Sequence, residues 1–93
     1  MKVRVQLNLE GRAIDEQVSG STADELLGNV KDKVQKALGW KGLVLAAMSP
    51  IAFARTAVQL FNERNNSQYA LPDTAEEFVK LGVDLGYVTV LPD

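Results

Sequence analysis

Three pairs of neighbouring carboxylates are the residues of this sequence best suited to acid–base chemistry: Asp15-Glu16, Asp24-Glu25 and Glu76-Glu77. The first pair falls in a predicted strand, where successive side chains point to opposite faces, so its two carboxylates cannot converge on one substrate. The other two pairs fall in the first turns of predicted helices, where acidic side chains stabilise the helix dipole and cap the backbone. We therefore interpret all three pairs as structural and predict no catalytic residue.

Histidine and cysteine are both absent from the 93 residues. Their absence removes the commonest zinc ligands, the Ser-His and Cys-His nucleophile systems and any disulfide framework. The remaining Asp, Glu, Lys and Tyr residues show no spacing typical of an active site. We predict that the protein is not an enzyme and holds no metal and no cofactor.

Basic residues near the first predicted helix could form a patch for an anionic partner. They are Arg12, Lys31, Lys33, Lys36 and Lys41. Acidic residues such as Asp32 are interspersed among them, and the net charge of the chain is −2, whereas nucleic-acid binders usually carry a basic face. We interpret this region as a solvated helix face and expect no nucleic-acid partner.

The most apolar stretch, residues 43–61, is interrupted by Ser49-Pro50 and Arg55. A membrane span needs about 20 mostly apolar residues with few charges, so we interpret this stretch as core. The chain opens with Met1-Lys2-Val3-Arg4 in strict alternation and without the apolar segment of a signal peptide. We expect a cytoplasmic protein without a membrane partner.

Residues 2–10 alternate polar and apolar side chains, which predicts a strand with one buried face. Gly11 can take the positive φ of a tight turn, and residues 12–19 then return as a second strand with Ile14 and Val18 facing inward. This second strand is a candidate for an exposed sheet edge, to which a partner strand could pair.

Three helices and a last strand are predicted after the hairpin. Thr22 and Glu25 form a capping box for a helix that ends at Gly39, and Thr74 and Glu77 form another for a helix that ends at Gly86. Between them, Ser49 and Pro50 start a helix that runs to about residue 64 and carries an apolar stripe over nearly half its circumference. A stripe that wide predicts burial in the core or against another subunit.

Residues 87–91 are rich in β-branched side chains and predict the final strand. Residues 43–48, Leu-Val-Leu-Ala-Ala-Met, are either a buried strand or a short buried helix. The flanking glycine and proline favour the strand, and the alanines with Met48 favour the helix; we give the strand a slight preference.

The order of these elements resembles the β-grasp domain, the fold of ubiquitin-like proteins. Residues 29–35, Asn-Val-Lys-Asp-Lys-Val-Gln, resemble the N-V-K-x-K-I-Q stretch of the ubiquitin helix. Residues 43–46 fall where that family has its third strand, and residues 74–91 resemble its closing helix and strand. The resemblance covers residues 1–48 and 74–91, while the helical segment 49–73 has no counterpart in compact members of the family.

The family's best-known uses are not implied, however. The chain ends in Val-Leu-Pro-Asp instead of Gly-Gly, so we do not expect C-terminal conjugation or thiocarboxylate chemistry. The outward face of the first strand is polar, with Lys2, Arg4, Gln6 and Asn8, and therefore lacks the apolar recognition patch of ubiquitin.

The sequence as a whole predicts a single domain over residues 1–93 with an α+β fold. It consists of an N-terminal β-hairpin, an amphipathic helix, the undecided third strand, two further helices, and a C-terminal strand that joins the same sheet in a β-grasp-like arrangement.

The function that fits these features best is a non-enzymatic protein-interaction module, such as an adaptor, an assembly factor or a small regulator. Its partner would be another protein or a second copy of this chain. The candidate interaction residues are Arg4, Gln6, Asn8, Trp40, Phe53, Phe61, Tyr69 and Tyr87. Trp40 is the only tryptophan; it either staples the end of the first helix or anchors an interface.

The alternative function is a small-molecule binding protein with an apolar pocket between helix 50–64 and the sheet. Met48, Phe53, Phe61 and Tyr69 would line that pocket.

Overall fold

A computed structural model describes residues 1–9 and 11–92 of the chain. The side chains of Leu9, Arg12, Trp40 and Lys41 lie outside that description. Glu10 and Asp93 lie outside it altogether.

The described strands form a three-stranded antiparallel sheet of order β2-β1-β3. Strands β1 (Lys2–Leu9) and β2 (Arg12–Ser19) form the predicted hairpin, with Gly11 at a φ of +78°. Strand β3 (Val88–Leu91) pairs with the other side of β1 and places Val88 opposite Val5. The sheet therefore leaves β2 as a free edge, as the sequence predicts.

Helix α1 (Ala23–Leu38) packs its apolar stripe on the inner face of the hairpin. The Thr22 hydroxyl accepts a hydrogen bond from the Glu25 N–H at 3.1 Å, which starts the helix at the predicted cap. Gly39 ends it at a φ of +62°. Apolar residues of α1 and the sheet make most of the core: Val3, Val5, Ile14, Val18, Ala23, Leu26, Leu27, Val30, Val34 and Val88. Phe53, Ala54 and Ala75 of the later helices complete it.

The preference for a strand over residues 43–48 is wrong. A 3₁₀ turn (Gly39–Gly42) follows α1, and Leu43–Ala46 forms the short helix α2. Leucine and alanine are good helix formers, and Gly42 packs its α-carbon against the main chain of Gln35, which turns the chain back along α1.

Helices α3 (Pro50–Asn65) and α4 (Ala75–Leu85) complete the fold. Both begin at the predicted caps: the Ser49 hydroxyl accepts from the Ala52 N–H at 3.2 Å, and the Thr74 hydroxyl accepts from the Glu77 N–H at 3.2 Å. The fold is thus α+β, with the sheet and four α-helices in the described residues.

The connection between α3 and α4 is held by side chains of α3. The Asn62 amide donates to the Tyr69 carbonyl at 2.9 Å, and its oxygen accepts from the Tyr69 N–H at 3.1 Å. The Arg55 guanidinium donates to the Pro72 carbonyl at 3.1 Å and forms a 2.8 Å ion pair with Asp73. These bonds fix where α4 starts and hence the spacing between α3 and α4.

Candidate binding cleft

An apolar cleft of about 450 Å³ lies between strand β1 and the four helices. Its walls are mostly aliphatic and aromatic side chains. The lining includes Leu7, Asn8, Val44, Met48, Phe53, Thr56, Ala57, Leu60, Phe61, Arg64, Asn65, Phe78, Leu81, Gly82, Leu85 and Tyr87.

One stripe of α3 forms the longest wall of the cleft. Residues 53, 56, 57, 60, 61 and 64 line it, and this spacing of three and four places them on one face of the helix. Only Phe53, Ala54 and Val58 of α3 are buried, while Leu60 is 40% exposed. The burial predicted for the wide stripe is therefore incomplete within this chain, because much of the stripe faces the cleft.

Helix α4 forms the opposite wall with Phe78, Leu81, Gly82 and Leu85. Its one buried residue among those described is Ala75. Gly82 sits against Val88: a Cβ on Gly82 would come within 2.6 Å of Val88 Cγ2. This close approach sets how tightly α4 packs on the sheet, while the apolar residues around Gly82 remain partly exposed in the cleft.

Aromatic side chains stabilise both ends of the α3 wall. The Phe61 ring lies edge-on to Tyr87, with centroids 5.3 Å apart, and 5.9 Å from Tyr69. The Phe53 ring packs edge-on against Phe78 at 6.3 Å. These ring contacts hold the aromatic side chains of the wall in place.

Helix α2 forms part of the rim. It has no buried residue, and Leu43 and Val44 are each 68% exposed. Val44 lines the cleft, as does Met48 just before α3. Two adjacent aliphatic side chains this exposed beside an apolar cleft extend its apolar surface onto the rim.

The polar groups of the cleft concentrate where α3 and β1 end. The last main-chain bond between β1 and the final segment joins the Gln6 N–H to the Tyr87 carbonyl at 2.9 Å. Beyond it, the Asn8 carbonyl accepts from Arg64 Nη1 at 3.3 Å. Asn65 lies beside Arg64 and donates to the Phe61 carbonyl at 3.0 Å. Arg64 is the one charged side chain among the described residues that line the cleft.

Four of the predicted interaction residues meet at this cleft: Asn8, Phe53, Phe61 and Tyr87. Arg4 and Gln6 do not, because they are exposed on the outer face of the sheet. Tyr69 contacts Phe61 but is not part of the lining that the structure describes. The Trp40 side chain lies outside the described part of the chain, so neither role predicted for it is decided.

Sequence reasoning missed Leu81, Leu85 and Arg64 as site residues. The signal for the two leucines is present, since they repeat at i and i+4 on α4 and face the same way as Phe78. Arg64 could not be found in this way, because its contact at the cleft is with the Asn8 carbonyl, which is 56 residues away in the sequence.

The outer face of the sheet carries an ion pair between Arg4 and Asp15. The Arg4 guanidinium donates to both Asp15 oxygens, from Nε at 2.8 Å and from Nη2 at 2.6 Å. These hydrogen bonds from Arg4 hold the pKa of the Asp15 carboxyl below its ordinary value. This ion pair fits the interpretation of Asp15 as a structural residue.

The other carboxylate pairs also occupy the predicted positions. Asp24-Glu25 and Glu76-Glu77 lie in the first turns of α1 and α4, and the Glu77 carboxylate accepts from the Asp73 N–H at 3.0 Å. Within the described residues, no group of three or more acidic side chains is placed to hold a metal ion.

Comparisons of the chain with protein-family models, with curated proteins and with solved structures find no match. The likeness to ubiquitin-like domains therefore stays a prediction. Among the described residues, no helix has both the length and the apolar character needed to cross a membrane.

Proposed function

We propose that the protein is a non-enzymatic binding protein that takes a small, largely apolar ligand into the cleft between α3, α4 and β1. The observation that supports this most directly is the cleft itself. Its volume of about 450 Å³ falls within the roughly 300–1,000 Å³ of small-molecule sites. Such sites combine apolar walls with a few polar groups, as this cleft does.

The energetics of the cleft favour an occupant. Apolar surface left in water costs about 25 cal/mol per Å², and the cleft keeps Leu60 and part of α4 in contact with water. A ligand that covers these side chains stabilises the folded state by mass action. Because the walls are held by the aromatic contacts of Phe53 and Phe61, little ordering is needed before the ligand binds.

The test is a titration with Nile red, an uncharged dye whose fluorescence rises in apolar surroundings. We expect saturable binding by the unmodified protein and loss of it in Ala57→Phe, because the new ring fills the middle of the cleft. Ala52→Phe is the matched control, since Ala52 lies on the same helix but not in the described lining. Circular dichroism establishes that both variants are folded.

Equal binding of the dye by folded Ala57→Phe and Ala52→Phe would count against the proposal, as would the absence of saturable binding by the unmodified protein. Chemical-shift changes in amide NMR spectra give a second readout, and we expect them at Leu60, Leu81 and Leu85.

A second candidate function is the protein-interaction module predicted from the sequence, and the free edge of β2 favours it. All eight residues of β2 pair with β1 on one side. Apart from the Ser19 carbonyl, which accepts from the Asn29 amide at 2.7 Å, the main-chain groups on the other side can pair with a partner strand. A second copy of this chain is a poor partner there. In the antiparallel registers closest to full overlap of two β2 strands, Asp15 or Glu16 of one copy lies opposite the same residue of the other copy, and like charges so placed repel.

Light scattering after size-exclusion chromatography measures whether the protein associates with itself through this edge. We expect no self-association through the β2 edge, so the protein should be a monomer. A dimer that is abolished by Gln17→Pro would contradict the argument from charge repulsion. A proline there removes one edge donor at a place where prolines are tolerated. The cytoplasmic location and the identity of a protein partner remain predictions.

A further inference from the structure

The chemical class of the ligand follows from how charge is distributed along the cleft. From residue 53 to residue 64, α3 spans roughly 16 Å at about 1.5 Å per residue. Apolar side chains occupy most of that length, with Thr56 as the polar interruption. The polar group formed by Asn8, Arg64 and Asn65 lies at one end. A ligand matching this pattern has an apolar chain and one polar head.

We propose that the cleft binds a medium-chain amphiphile with an anionic head group, such as a carboxylate, and that Arg64 is the anchor for that head. This inference rests on the proposed function, because it names the ligand class of the same cleft.

We infer that the head group is anionic because Arg64 is the charged residue of the described lining. The described lining contains no acidic side chain, and no ion pair joins Arg64 to a carboxylate among the described residues. One of its five N–H donors makes a long bond, 3.3 Å, to the neutral Asn8 carbonyl. A guanidinium in this position can bind a carboxylate through two parallel hydrogen bonds, which neutral or cationic heads cannot form.

The end of α3 makes the assignment to Arg64 specific. The carbonyl groups in the last turn of a helix carry partial negative charge and disfavour an anion. Arg64 lies in that last turn and is the described cation at this end of the cleft. Removing its charge leaves the helix end to repel an anionic head, so the preference among head groups should be lost or reversed.

The length of the chain follows from the volume. A water-sized group takes about 30 Å³ of liquid, so a cleft of about 450 Å³ accommodates roughly 15 such groups. A saturated carboxylate of medium length, such as dodecanoate, has about that many non-hydrogen atoms. A much longer chain leaves apolar groups outside and gains little further affinity.

The experiment compares dodecanoate, 1-dodecanol and dodecyltrimethylammonium by displacement of Nile red, each below its aggregation concentration. We expect dodecanoate to bind at least roughly tenfold more tightly than either of the others, since a charge-assisted hydrogen bond is about twice as strong as a neutral one. Added NaCl should weaken binding of dodecanoate and not of dodecanol.

Arg64→Gln should remove that preference, and Arg64→Lys should keep part of it. Lys36→Gln is the matched control, because Lys36 is a cation in the last turn of α1 that does not belong to the described lining. It should leave the preference unchanged, which separates head-group binding from general effects of charge at a helix end. Circular dichroism and the affinity for dodecanol show whether Arg64→Gln keeps an intact cleft.

Three results would overturn the inference. Equal affinity for all three amphiphiles would contradict the preference for an anionic head group but would still agree with the proposed function. An unchanged preference for dodecanoate in Arg64→Gln would remove Arg64 as the anchor. Failure of every amphiphile and of Nile red to bind would contradict the proposed function together with its ligand class.

Discussion

The sheet with α1 and the group of α2, α3 and α4 are built from similar apolar patterns but are covered very differently. In the first region, Val3, Leu26 and Val34 are at most 1% exposed, and the helix covers the hairpin. In the second, four residues are buried among those described: Phe53, Ala54, Val58 and Ala75. Among the other apolar side chains of α3 and α4, six line the cleft: Ala57, Leu60, Phe61, Phe78, Leu81 and Leu85.

This difference separates apolar residues that hold the fold together from apolar residues that are available to bind. A side chain that is fully covered contributes to stability, and its replacement leaves a cavity. A side chain that remains partly in water contributes less to stability and can gain a contact when a ligand arrives. The two regions should therefore respond differently to the same substitution.

The largest difference is expected from removing one leucine in each region. Leu26→Ala removes a side chain that is 0% exposed and should lower the free energy of unfolding by about 2–5 kcal/mol. Leu60→Ala removes one that is 40% exposed and should cost less than about 1 kcal/mol, while weakening binding of Nile red. Urea denaturation measures both, and comparable losses would contradict the distinction between the regions.

A smaller difference is expected from the helical glycines. Gly28→Ala in α1 meets open space, so the better helix propensity of alanine should stabilise the protein by up to about 1 kcal/mol. Gly82→Ala in α4 brings its Cβ within 2.6 Å of Val88 Cγ2. Overpacking of this kind destabilises by about 1–3 kcal/mol, which should exceed the stabilisation from helix propensity, so this variant should be less stable. Thermal unfolding of both variants checks the signs. Stabilisation by Gly82→Ala would show that α4 moves away from β3 freely.

The smallest effect is expected from the Arg4–Asp15 pair on the outer face of the sheet. The folded-state pKa of Asp15 is lowered by the hydrogen bonds from Arg4, so its contribution is fully present above the unfolded pKa of about 3.9. It is lost as the pH falls through the folded pKa. Both side chains are about half exposed, at 46% and 49%, and such pairs contribute little.

A cycle of Arg4→Gln, Asp15→Asn and the double variant isolates the pair. We expect a small coupling in the urea midpoint at neutral pH that disappears in acid. A coupling that persists below the folded pKa of Asp15 would show that the two side chains interact by something other than charge.

Local patterns were enough to predict most elements, because each depends on residues close in sequence. The alternation of residues 2–9, the turn at Gly11 and the caps at Thr22, Ser49 and Thr74 all predict what the structure shows. Residues 43–48 were harder, because a short apolar run fits either a strand or a helix.

The cleft could be predicted only in part. Hydrophobic periodicity identifies which face of α3 is apolar, and Phe53 and Phe61 on that face line the cleft. Met48, predicted with them, also lines it, whereas Tyr69 does not. The periodicity does not say whether another element covers that face of α3. The incomplete cover depends on the distance between α3 and α4, which is fixed by bonds of Asn62 and Arg55 to a polar loop that carries no hydrophobic pattern.

Strand β1 pairs with β2, which is next to it in the sequence, and with β3, which is far from it in the sequence. This difference constrains the order of folding. The β1–β2 hairpin closes through a short turn, whereas the β1–β3 pairing joins segments separated by nearly all of the described chain and has a larger entropic cost of closure. We expect the hairpin and α1 to form the folding nucleus and β3 to dock late. Since α4 packs on β3 through Gly82 and Val88, the cleft would be the last part of the molecule to take shape.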